Sequence, residues 1–360
     1  MSGFSEVKKL LRFKVRCIVF LCTGLLLFAA GCAKIGNEEN VVTAQASAGF
    51  GEPVEGPSLS LPEVTPNLSP QISGFAALSE GMESADVSLL QARLTLLGYM
   101  RCDAPTGYYG RETAHAVTLF ERQYGLLEDG AAGEEVLLLL FSEEAQVCQY
   151  PLAGYVIGLD PGHQSKANSD LEAIAPGSST MKKKVSSGTQ GRWSGVPEYK
   201  VTLSVGLLLR DLLEEQGAIV VMTRETNDVN ISNRERAEFF NENETDYALR
   251  LHCNGTDDAS EHGAFMLVPT KNPYLDQCNT AAELLLAAYC EETGAKNRGI
   301  TIRSDQTGFN WCRRMIINIE MGYMTNKQED LLLTNSAYQK KMAYGLLNGI
   351  LHYFESIGER

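Results

Sequence analysis

The chain begins with two contrasting stretches. Residues 6–16, EVKKLLRFKVR, carry five basic residues and one acidic, and the fifteen residues that follow, CIVFLCTGLLLFAAG, carry no charge. That run is short of the roughly 20 apolar residues that span a bilayer and fits an export signal over residues 1–31. Residues 32–74 are rich in Pro, Ser, Gly and Glu and poor in large apolar side chains. Such a segment cannot bury enough surface to offset ordering entropy, which predicts a flexible linker. Over residues 75–150 the pattern becomes helical. Val87, Leu90, Leu94 and Leu97 recur on one face ahead of Gly98, and Ala114, Val117 and Phe120 lie between Gly110 and Gly125. Glu134 to Phe141 form a third amphipathic stretch, so a small three-helix bundle is expected.

From 151 to 360 the period alternates. YVIGLD, AIVVMTR, YALRLH, GAFMLVP, GITIR and MIINIE are apolar runs of strand length rich in Val and Ile, and helical patterns separate them. One contains Val201, Val205, Leu208, Leu209 and Leu212; another, SNRERAEFFNEN, opens on Ser232. Strands alternating with helices predict an α/β domain with a mostly parallel twisted sheet flanked by helices.

Charge and cysteines narrow the setting. The net charge is −14, and loss of residues 1–31, which carry +4, leaves −18. So acidic a protein is a poor partner for nucleic acid or anionic lipid through general electrostatics. The six cysteines beyond Cys32 form no CxxC pair, which argues against a thiolate zinc knuckle. In an exported chain Cys102 and Cys148 bracket the helical segment, and they are read either as a disulfide staple or as two buried thiols.

Ligands of open α/β sheets bind outside the carboxyl ends of strands. His163 follows YVIGLD, His252 ends YALRLH, Glu320 ends MIINIE, and Glu198 opens the helix PEYKVTL. Two imidazoles and a carboxylate are a common zinc set with a position left for water, and a further carboxylate is needed to carry protons. The chain supplies a carboxylate at two places, Glu198 and Glu320. Strand alternation puts Arg250, His252 and Asn254 on one face, so Arg250 and Asn254 are candidate substrate contacts, while Cys253 faces the core. His115, one position off its apolar face, reads as solvated, and His262 and His352 as surface or packing residues.

Three resemblances add to this reading. FAAGC resembles a bacterial lipoprotein box, which implies lipidation at Cys32; a retained anchor and a freely secreted form are the alternatives. DVSLLQARLTLLGY, TGYYGRETAHAVTLFERQYGL and EDGAAG resemble the peptidoglycan-binding repeat found beside many cell-wall enzymes. LDPGHQ, GVPEYKVTLSVGLLLRDLLEEQGAIVVMTR, ISNRERAEFFNENETDYALRLHCN and INIEMGYMTNKQEDLLL resemble the zinc-dependent N-acetylmuramoyl-L-alanine amidases called amidase 3. That resemblance implies zinc held by His163, Glu198 and His252, with Glu320 as the catalytic carboxylate. It also implies cleavage of the amide between N-acetylmuramic acid and L-alanine, in an extracytoplasmic protein facing the cell wall. A non-catalytic muropeptide receptor and a zinc peptidase of the stem peptide are the alternatives, and the sequence identifies no regulatory partner. Residues 164–197 are longer than in many family members and read as a loop bordering the cleft. Lys182, Lys183 and Lys184 within it read as a solvated run, the alternative being contact with stem-peptide carboxylates.

Overall fold

A computed structural model describes residues 77–358. The export signal, the linker over residues 32–74 and Cys32 lie outside the described residues. Among the described residues no helix is long and apolar enough to cross a membrane.

The helical segment forms around its leucines. Helix α1 (Ala85–Leu96) starts where the Ser84 side chain accepts a hydrogen bond from Val87 N, and α2 (Arg111–Tyr124) stops at Gly125, whose φ of 66° is left-handed. With α3 (Glu134–Leu140) they bury Val87, Leu90, Leu94, Val117, Phe120 and Leu137 in a core of their own.

The remaining chain follows in the order β1 (Val156–Pro161), β2 (Asn168–Ala173), β3 (Met181–Val185), α4 (Glu198–Glu215), β4 (Ile219–Met222), α5 (Asn233–Glu242), β5 (Tyr247–Asn254), β6 (Ala264–Pro269), α6 (Leu275–Thr293), β7 (Asn297–Arg303), α7 (Thr307–Trp311), β8 (Ile316–Tyr323), α8 (Lys327–Leu333) and α9 (Ser336–Ser356). Six strands make one sheet in the order β4-β1-β5-β8-β6-β7. Strands β4, β1, β5 and β8 run parallel, whereas β6 is antiparallel to β8 and β7 follows β6. The sheet is therefore mostly parallel, with its direction reversed at one edge. On one face Leu249, Leu251, Ile317 and Ile319 pack with Val205 and Leu209 of α4, Leu285 of α6 and Leu346 of α9. On the other, Ala248, Leu267 and Ile316 meet Phe240 of α5 and Phe309 of α7. Each fully buried side chain of this kind contributes about 1.5–3 kcal/mol by leaving water. Cys253 lies with the first of these cores, as its strand position predicts.

Two expectations change, and one alternative left open is decided. Residues 164–197 are not all loop: β2 and β3 pair as an antiparallel hairpin, two-stranded and separate from the main sheet. Cys102 and Cys148 stay as thiols, with Cys102 Sγ 3.1 Å from Thr95 Oγ1 and Cys148 Sγ directed to the Tyr150 carbonyl. His115 is not solvated but half-buried, its Nε2 3.1 Å from the carbonyl oxygen of Gly217. Burial lowers the His115 pKa, as suits a neutral ring in that contact. Together with the bond from Arg122 Nη1 to Glu214 O at 3.4 Å, this contact fastens the helical segment to the carboxyl end of α4.

Candidate active site

The site grows from three adjacent strands. Strand β5 lies between β1 and β8, in a register that pairs Pro161 with Leu251 and His252 with Glu320. His163 therefore emerges just beyond β1, beside His252 and Glu320, at the carboxyl ends of all three. Glu198 is the first residue of α4 and points into the same rim.

The turn that carries His163 is held from beneath by charge. Asp160, fully buried at the end of β1, accepts from Arg236 Nη1 at 2.5 Å, Arg250 Nε at 2.8 Å and Thr223 Oγ1 at 2.6 Å. Burial alone would raise its pKa, but the two guanidinium groups hold it well below the carboxylate range. Arg236 and Arg224 also donate to the turn. Arg224 Nε bonds Pro161 O at 2.8 Å and its Nη2 bonds Gly162 O at 3.1 Å; Arg236 Nη2 bonds His163 O at 3.1 Å. Three successive carbonyls are thus satisfied by buried cations. Arg224 is itself lowered to about 10, first by burial and then by the neighbouring Arg236.

With its carbonyls fixed, the turn adopts a conformation few residues accept. His163 has φ 60°, left-handed for a side-chain-bearing residue, and such strain gathers at functional sites. Gly162 is required because a Cβ there would strike the His252 ring. Gly188, at φ +77°, closes the other side, where a Cβ would lie 2.7 Å from both Glu198 Oε2 and His163 Cδ2.

The three donor groups converge. His163 Nε2 is 3.3 Å from Glu198 Oε2, His252 Nδ1 is 3.1 Å from Glu198 Oε1, and one ligand atom from each residue lies within 4.8 Å of the others. His163 Nδ1 faces the Ser186 carbonyl at 3.0 Å, which orients the ring and leaves Nε2 for the site. Glu198 accepts from the backbone amides of Thr189 at 2.8 Å and Cys253 at 3.0 Å. Burial would push the Glu198 carboxyl up, yet hydrogen bonds from both histidines hold it well below its usual range. Burial brings His252 down to about 4, so its ring is neutral at physiological pH, the form that ligates metal. The donor set fits a divalent cation that accepts nitrogen and oxygen.

Glu320 stands apart from this cluster in its proton affinity. Burial, and then the charge of Glu198, raise it to about 8, and Asn318 Nδ2 donates to its Oε1 at 3.3 Å. A carboxyl poised near neutrality is able both to accept and to release a proton. His163, His252 and Glu320 line one cleft of about 250 Å³, together with Arg250 and residues of the β2–β3 hairpin.

The other candidates separate. Arg250 borders the cleft but is committed to Asp160 and to Asn233 Oδ1 at 2.9 Å. Asn254 does not line the cleft; its Oδ1 accepts from Gly255 N at 2.8 Å. His262 and His352 are exposed. Sequence reasoning missed Asp160, Arg224 and Arg236 as positioning residues. An aspartate ending an otherwise apolar strand was the available signal, since a charge there must find buried partners.

Comparison with known proteins meets this geometry. The family profile described as N-acetylmuramoyl-L-alanine amidase matches residues 157–352, more than half of the chain. The chain belongs to this amidase family. A profile for peptidoglycan-binding domains matches residues 83–140 of the amidase. The germination-specific N-acetylmuramoyl-L-alanine amidase of Bacillus subtilis is 27% identical over 226 residues, covering 58% of this chain and 84% of the relative. N-acetylmuramoyl-L-alanine amidase Rv3717 of Mycobacterium tuberculosis is 25% identical over 217 residues, covering 58% and 90%. Among solved structures, apo Ami1 of Mycobacterium abscessus superposes with a TM-score of 0.52 at 25% identity, over 56% of this chain and 99% of that one. Ami1 of Mycobacterium smegmatis, at 0.53 and 22% identity over 57% and 99%, shares the fold. The amidase is a cell-wall hydrolase that cleaves the amide between N-acetylmuramic acid and L-alanine, and it carries a peptidoglycan-binding helical module.

Proposed function

We propose that the amidase is zinc-dependent, with His163, Glu198 and His252 as metal ligands and Glu320 as the catalytic carboxylate. The convergence of two imidazoles and a buried carboxylate within 4.8 Å carries the reading. Zinc bound there supplies a Lewis acid for the amide carbonyl and for water. Glu320 takes the proton of the attacking water on a carboxylate oxygen and returns it to the alanine nitrogen as the amide breaks. Its raised proton affinity supports both halves of that task. Asn318 orients the carboxylate, and the Arg224 and Arg236 contacts keep His163 directed at the metal.

The domain boundaries of this reading are an export signal over 1–31, a linker over 32–74, a wall-binding module over 75–150 and the catalytic domain over 151–360. Action on the cell wall is extracytoplasmic. The lipoprotein-like FAAGC supports lipidation at Cys32, and with it membrane attachment at the end of the linker.

Metal analysis and product analysis test the assignment together. Purified protein is expected to hold one zinc and to release wall peptides with new N-terminal L-alanine. Glu320→Gln should keep the metal and lose turnover by about 10²–10⁴-fold, the usual worth of a general base, while His163→Ala should lose both. Other new N-termini would indicate a peptidase, and binding without new amines a receptor. Near-normal activity of Glu320→Gln would overturn its role.

A further inference from the structure

Residues 186–198 carry the groups that orient two of the three proposed ligands. The Ser186 carbonyl faces His163 Nδ1 at 3.0 Å. Thr189 N donates at 2.8 Å to Glu198 Oε2, the same oxygen that lies 3.3 Å from His163 Nε2. The segment then closes on itself as it returns to α4. Glu198 N donates to Thr189 O at 3.0 Å, Gly191 N to Val196 O at 2.9 Å and Gln190 Nε2 to Gly195 O at 2.7 Å. Thr189 is thereby tied to the turn made by residues 191–196.

That turn is grasped from outside by one side chain of α8. Asp330 Oδ2 accepts from Trp193 N at 2.7 Å and Ser194 N at 2.9 Å, and its Oδ1 accepts from Ser194 Oγ at 2.5 Å. The Ser194 oxygen in turn accepts from Val196 N at 3.1 Å, and Arg192 N adds a bond to Met324 O at 3.1 Å. Asp330 is fully buried, and no cation pairs with it among the described residues. A carboxylate taken out of water without a counter-charge is costly and persists where donors fill its oxygens. A carboxamide is no substitute, since it offers one accepting oxygen and turns a further donor toward the turn. The base from which Asp330 acts is firm. The adjacent Glu329 accepts from Tyr323 N at 2.7 Å and Gly263 N at 2.8 Å, which pins α8 to the end of β8 and to the entry of β6.

We propose that Asp330 is a positioning residue for the metal centre: by fixing the 191–196 turn it keeps Thr189 N on Glu198 and the Ser186 carbonyl on His163. The inference rests on the zinc reading above and extends it to a side chain that does not line the cleft. Groups that hold a metal ligand from behind contribute to affinity because they remove the ligand's freedom to turn away.

Trypsin reads the state of the turn directly. Trp193 N, which Asp330 holds, is the nitrogen of the peptide bond after Arg192, and Arg192 is exposed. In the full chain, Asp330→Asn should release a fragment beginning at Trp193 about tenfold faster or more, because cleavage follows the population of the opened turn. The same variant, shown by circular dichroism to be folded, should bind zinc about tenfold more weakly in a competition titration against a chelator. Ser194→Ala removes one of the three donors and keeps both amide bonds, so it should move cleavage and zinc affinity in the same directions by about two- to fourfold. A merely structural role would lower the thermal midpoint and leave the zinc affinity of the folded protein as it was. Zinc affinity of Asp330→Asn within about twofold of the unaltered protein would therefore overturn the assignment, whatever the tryptic pattern. Should Asp330→Asn not fold, unchanged cleavage or unchanged zinc affinity in Ser194→Ala would overturn it. An unaltered chain that takes up no zinc would instead remove the metal reading and this inference with it.

Discussion

Replacing Asp160 by Asn removes one charge from beneath the metal-binding turn and leaves its volume unchanged. The native carboxylate is inaccessible to solvent and accepts from two guanidinium groups and a hydroxyl. The amide presents one oxygen to these donors and turns an NH₂ toward at least one arginine, so two cations stay buried with no counter-charge. Breaking a buried pair by removing one partner costs about 3–5 kcal/mol. For a catalytic domain of this size each kcal/mol lowers the midpoint by about 2–4 °C, so a fall of about 6–20 °C is expected in thermal unfolding followed by circular dichroism. The pH dependence has a definite sign. Because the folded-state pKa of Asp160 is depressed, its contribution is complete above the unfolded value near 4 and is lost as pH falls below it. The gap between the two proteins should be full at pH 7 and narrow below about pH 4. A midpoint shift under about 3 °C at pH 7, or a gap that persists unchanged at pH 3, would refute the view that this pair supports the turn.

Chelation at neutral pH should abolish hydrolysis of purified wall, and zinc added back should restore it; activity that survives exhaustive metal removal would argue against the ligand assignment. Gly188→Ala puts a methyl against Glu198 and His163 in a left-handed turn, and should weaken zinc affinity about 10–100-fold in a competition titration, with the fold retained by circular dichroism. His115→Ala removes one contact between the helical module and α4. It should lower stability by about 0.5–1.5 kcal/mol in urea unfolding, speed proteolytic nicking between residues 141 and 155, and leave kcat on a soluble muramoyl-peptide unchanged.

The strands that position the site were readable because each is a short apolar run buried on both faces, and the four proposed site residues were readable because they stand at or near strand or helix ends. The reversal of β6 was not. An apolar strand covered on both sides carries no mark of its direction. The hairpin was missed for the opposite reason: NSDLEA and MKKKV bury almost nothing, so no alternation betrays them. Nothing in RERAEFF marks Arg236 as the charge that the helix turns inward to Asp160. His115 was misread because its partner, the Gly217 carbonyl, is 102 residues away in sequence.

Helix α4 begins at Glu198 in the reaction centre, runs for 18 residues and ends where the helical module is fastened. At 1.5 Å per residue it is a strut about 27 Å long with the two activities of the enzyme at its opposite ends. The point at which the module is attached is thereby held at that stand-off from Glu198, and the helix keeps the spacing fixed.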